Sequence, residues 1–70
     1  MVPLTTMSVG EQAAVKRVNG KPEVRQFLEN LGFVPGSLVC LIAKNGGNII
    51  VNVKDSRVAI SSGMANKIFV

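Results

Sequence analysis

The sequence predicts a mainly β protein: a small five-stranded barrel with one helix inserted after the first strand and a short helical turn before the last. Three observations lead there. Apolar and polar residues alternate over several short runs, the period of a half-buried strand. Tight-turn pairs such as Asn19-Gly20 and Asn45-Gly46 punctuate those runs. Only Pro22–Leu31 carries the three-and-four spacing of a longer helix. A twisted sheet covered at one end by a helix curls on itself, which limits exposed strand edges. No repeat, low-complexity tract or linker interrupts the 70 residues, so a single domain over 1–70 is expected.

Leu4 and Met7 are spaced to share one face of a single helical turn, with Thr5 or Thr6 as its cap and Gly10 as its end. Glu11–Asn19 reads as the first strand, with Ala13, Val15 and Arg17 on one face and Ala14, Lys16 and Val18 on the other. Asn19-Gly20 then turns the chain.

In the helix, Pro22 suits a first helical position, where its preset φ helps and its missing N–H costs nothing. Glu23 near the start and Gly32 beyond the end complete the usual asymmetry. Val24, Phe27, Leu28 and Leu31 form one apolar stripe, so the helix covers a core, with Arg25 and Glu29 on its other side. The segment Val34-Pro35-Gly36-Ser37 has proline and glycine at the two central positions of a type II turn. It redirects the chain into Leu38–Lys44, a strand placed beneath the helix.

Asn45-Gly46-Gly47 joins that strand to Gly47–Lys54, a hairpin in which Ile49, Val51 and Val53 alternate with Ile50, Asn52 and Lys54. Asp55-Ser56 turns into Arg57–Ser61, with Val58 and Ile60 inward. Ser61–Ala65 fits one helical turn, and Lys67–Val70 closes the barrel.

Composition narrows the function. The chain has no histidine, tyrosine or tryptophan, and its four acids, Glu11, Glu23, Glu29 and Asp55, are scattered. Acid–base and nucleophilic catalysis need such groups in convergent pairs, so no enzymatic activity is expected. Metal sites need imidazole, thiolate or clustered carboxylates, so neither a metal ligand set nor a cofactor is expected. Cys40, the one cysteine, can form no intrachain disulfide; within Leu38–Ala43 it reads as a buried small hydrophobe. The start of the chain lacks the pattern of a secretion signal, and no apolar run spans a bilayer. A cytoplasmic protein without direct membrane insertion is the expectation.

The net charge of +4 comes from basic residues spread along the chain, the longest run being Lys16-Arg17. This reads as a solvated basic surface. A small basic barrel that binds nucleic acid is the alternative reading. It needs exposed aromatics for base stacking, whereas Phe27, Phe33 and Phe69 all read as core. A proline-peptide groove would need the missing Trp and Tyr. What remains is an apolar interaction patch built from Val34, Pro35, Gly36 and Leu38 around the turn, with Ile50 on an outward strand face. Self-association through a strand edge is compatible with it.

Leu4, Met7 and Gly10, the helix-ending Leu31-Gly32-Phe33 with Pro35-Gly36, Arg57 before Val58-Ala59-Ile60, and the terminal Ala65, Ile68 and Val70 make one pattern over essentially the whole chain. It resembles the FeoA family of bacterial ferrous iron transport. Where that family usually has a glycine in the turn before the arginine, this chain has Lys54-Asp55-Ser56. The resemblance implies an SH3-like barrel, no activity of its own, and a partner, the FeoB iron permease with its cytoplasmic GTP-binding domain. It implies a role in assisting or regulating ferrous iron uptake without holding the iron.

Overall fold

The computed structural model describes all residues, 1–70. After a 3-10 turn at Leu4–Thr6 come β1 (Gln12–Ala14) and β2 (Arg17–Val18), then α1 (Pro22–Leu31). β3 (Leu38–Asn45), β4 (Asn48–Val53) and β5 (Ser56–Ser61) follow, and α2 (Ser62–Ala65) leads into β6 (Ile68–Phe69). One antiparallel sheet has the order β1-β3-β4-β5, and a second consists of β2 and β6. No helix is long and apolar enough to cross a membrane.

The strand expected over Glu11–Asn19 is therefore two strands, shared between two sheets. Successive peptide groups of a strand point to opposite sides. Val15 N–H donates to Ser37 O at 2.8 Å, on the β3 side, and Lys16 N–H donates to Phe69 O at 2.8 Å, on the β6 side. The chain exchanges one neighbour for the other within a single residue step. Val15 is buried at this corner.

α1 has the bounds its sequence predicts. Gly32 ends it at φ 112, with its N–H donating to Glu29 O and the Phe33 N–H donating to Leu28 O, both at 3.0 Å. This is the Schellman pattern, which satisfies carbonyls the helix leaves open. The stripe is narrower than the spacing implied. Leu28 is fully buried and Val24 and Leu31 pack at its margin, but Phe27 is 48% exposed. Residues one apart sit about 100° round a helix, so a short helix docked along Leu28 turns Phe27 to its edge.

The hairpin turns are two-residue loops. Asn45 pairs with Asn48 around Gly46-Gly47, and Val53 pairs with Ser56 around Lys54-Asp55, one residue earlier than expected. Ser61 caps α2 by accepting the Met64 N–H at 3.2 Å. No threonine side chain caps the N-terminal turn; the Thr6 hydroxyl donates to Pro3 O at 2.8 Å instead.

The core lies between the two sheets and under α1, and Leu4, Leu28, Phe33, Leu41, Val51 and Ile68 are among its fully buried side chains. No polar or charged side chain is buried, so apolar burial and close packing hold this interior together.

Candidate functional site

Two open clefts flank the molecule, and the turn between α1 and β3 stands between them. Ser37 N–H donates to Val34 O at 3.0 Å across the turn, and Gly36 has φ 92, as a type II turn requires of its third residue. The turn is fastened to the corner of the first strand. Gly36 N–H donates to Val15 O at 2.8 Å, while Ser37 O receives the Val15 N–H. Val34 is half-buried; Pro35 and Gly36 are exposed.

Leu38 and Ile50 lie on the outward face of the larger sheet. Strand alternation puts Val39, Leu41, Val51 and Val53 inside, which turns Leu38, Cys40, Ile50 and Asn52 outward. Leu38 is 58% exposed opposite Ala14, and Ile50 is half-buried between Ala43 and Ala59. The two candidates share a face but do not adjoin. A row made by Gln12, Cys40, Asn52 and Arg57 runs between them. Cys40 is thus half-buried on the outer surface and not inside the core. A cleft of about 440 Å³ opens on this face, lined by Leu38 and Cys40 together with Asn52, Lys54 and Asp55.

Pro35 belongs elsewhere. It lines a cleft of about 540 Å³ between β2 and α1, together with Lys16, Arg17, Val18, Arg25 and Glu29. Of the five sequence candidates, Pro35 and Leu38 line different clefts, and Val34, Gly36 and Ile50 line neither. Sequence reading missed this basic cleft because strict alternation sends Lys16 and Arg17 to opposite faces. A bulge brings them together: Arg17 is the register partner of Phe69, and Lys16 N–H also donates to Phe69 O. Two residues opposite one is the count of a β-bulge, which re-aims side chains. The imperfect apolar alternation of Ala13–Val18 was the one signal in the sequence that pointed to it. Arg17 Nε donates to Asn19 Oδ1 at 2.8 Å, which holds the guanidinium in place.

No three residues among His, Cys, Asp and Glu come together anywhere in the chain. Cys40, Lys54 and Asp55 line one cleft, but no hydrogen bond joins the thiol to either charged group; its nearest polar partner is Gly10 O at 4.0 Å.

The FeoA domain model matches residues 2–70. A protein of Methanocaldococcus jannaschii, provisionally named Fe(2+) transport protein A, is 34% identical over 70 residues, all of this chain and 85% of its own. A crystal structure of an iron uptake regulatory protein, FeoA, superposes with a TM-score of 0.89 at 31% identity, covering 96% of this chain and 91% of that one. The zinc complex of Stenotrophomonas maltophilia FeoA, described as an SH3 domain protein and a candidate activating factor for ferrous iron transport, gives 0.86 at 28% identity. It covers all of this chain and 89% of its own. The fold is SH3-like, and with a family model spanning residues 2–70 this chain belongs to the FeoA family.

Proposed function

We propose that this protein is a non-catalytic cytoplasmic accessory of ferrous iron uptake, which acts by binding the cytoplasmic side of the FeoB permease and regulating it. The observation that carries the reading is the family match, which runs through the whole sheet and helix framework. The surface chemistry supports it: two binding clefts, exposed apolar side chains at Leu38 and Phe27, and scattered acids. The apolar part of the contact is assigned to Leu38 and Ile50, with the Val34-Pro35-Gly36 turn as a rigid edge on the Leu38 side. Of three phenylalanines only Phe27 is exposed, a single ring outside both clefts, which disfavours the nucleic-acid alternative.

The test is titration of this protein into purified permease, with and without guanine nucleotide. Saturable binding is expected. Retention on single-stranded nucleic acid without any binding to the permease overturns the proposal.

A further inference from the structure

We infer that the cleft between β2 and α1 takes an extended acidic segment of the transport partner as an added β-strand on the free edge of β2. The inference rests on the reading above and supplies the chemistry of one contact. Two independent features converge there: an unpaired strand edge and a concentration of positive charge.

The edge comes from topology. β2 has β6 as its only neighbour. Arg17 faces Phe69, and Asn19 N–H donates to Lys67 O at 2.7 Å, so the peptide groups of Arg17 and Asn19 point towards β6. By the antiparallel alternation, the N–H and C=O of Val18 between them point the other way. Val18 lines the cleft, so these groups border it. The other edge of β6 is closed, because Val2 and Val70 exchange backbone hydrogen bonds at 3.0 and 2.8 Å and Pro3 bridges Phe69. Of the smaller sheet, the β2 edge alone is left to recruit a strand.

The charge comes from the bulge. Arg17 in β2 and Lys16 just before it line the cleft from one side and Arg25 lines it from α1, against Glu29 alone, a balance of three positive groups to one negative. Asn19 fixes the Arg17 Nε, which leaves the terminal nitrogens of its guanidinium for a carboxylate, the geometry for which arginine is suited. The only apolar side chains in the lining are Val18 and Pro35. No aromatic ring lines the cleft for a nucleobase to stack on, which favours a peptide carboxylate over a nucleotide. In an added strand, alternate side chains face one side, so acids at every second position share the face that meets the cations.

The experiment uses a short labelled peptide alternating glutamate and valine, titrated into the intact protein. A second peptide of the same sequence carries N-methyl groups on alternate residues, which blocks strand pairing and keeps the charge. Saturable binding is expected, with amide resonances of Arg17–Gly20 shifting and the N-methylated peptide about tenfold weaker. Arg25→Glu weakens the parent peptide about tenfold, whereas Arg57→Glu, an equal change in net charge elsewhere, leaves it unchanged. Absence of peptide binding, equal binding of the two peptides, or full displacement by tripolyphosphate at matched charge overturns the inference. In parallel, permease that binds the unaltered and Arg25→Glu proteins equally well refutes this inference and leaves the reading above standing. Permease that binds neither refutes that reading itself.

Discussion

Gly36 donates its backbone N–H to the carbonyl of Val15 at 2.8 Å, and that bond fixes the helix-to-strand turn to the corner where the first strand changes sheets. The sharp turn after α1 thus serves the sheet as much as the helix. Gly36 has φ 92, and no atom lies within 4 Å of where a Cβ would stand. Gly36→Ala therefore meets backbone strain without a steric clash, and we expect a loss of about 1–2 kcal/mol. In a domain of this size that lowers Tm by roughly 4–8 °C for each kcal/mol, which a thermal melt reads directly.

Leu28 and Phe27 are neighbours with opposite fates, fully buried and 48% exposed. Leu28→Ala is expected to cost about 3 kcal/mol, the transfer of the side chain together with the cavity it leaves. Phe27→Ala is expected to change stability by no more than about 0.5 kcal/mol. Urea denaturation of the two variants checks the contrast, and equal losses would contradict the docking of α1 described above.

That pair also shows what a sequence can and cannot convey. Periodicity located α1 to the residue, because Pro22 and Gly32 mark its ends by local chemistry alone. It could not say how wide a stripe the helix buries, since that depends on how closely the sheet approaches. Cys40 carries the same lesson in a strand: its apolar neighbours suggested an interior position, but register against Gln12 and Asn52 places it outside. The β-rich pattern with one inserted helix was legible in the turns and in the spacing of apolar runs, and the SH3-like fold in the resemblance to the family. The basic cleft was not, because it depends on a bulge at Lys16-Arg17 and on long-range pairing to Phe69 that no local pattern encodes.

Lys54 and Asp55 form the β4–β5 turn with φ of 50 and 63, a left-handed conformation at both central residues. Turns of this hand match the twist of the flanking strands and prefer Asn-Gly. The double substitution Lys54→Asn with Asp55→Gly is expected to stabilise the fold by about 1 kcal/mol. A rise in the midpoint of denaturant unfolding with an unchanged slope is the expected signature.

Ser61 is the cap of α2, a helix of four residues with little intrinsic stability. Ser61→Ala removes the acceptor for the Met64 N–H, and a loss of about 1 kcal/mol is expected. Hydrogen exchange at Met64 should accelerate while exchange at buried β4 amides such as Val51 changes much less.

Leu38 and Ile50 face outward, so charged replacements there test recognition with little risk to the core. Leu38→Glu and Ile50→Glu are each expected to weaken permease binding about tenfold, with Tm held within a few degrees. Unchanged affinity in both variants would remove the outer sheet face from the proposed contact.

Val2 and Val70 exchange two backbone hydrogen bonds, and Pro3 pairs with Phe69. On a ribosome, the two sheets therefore form at different times. The larger sheet can zip as its hairpins emerge, yet β2 must wait for β6, some fifty residues later in synthesis. Until β6 clears the exit tunnel, β2 is bare on both edges, and a nascent chain stalled before β6 would display an unpaired strand to every other chain nearby.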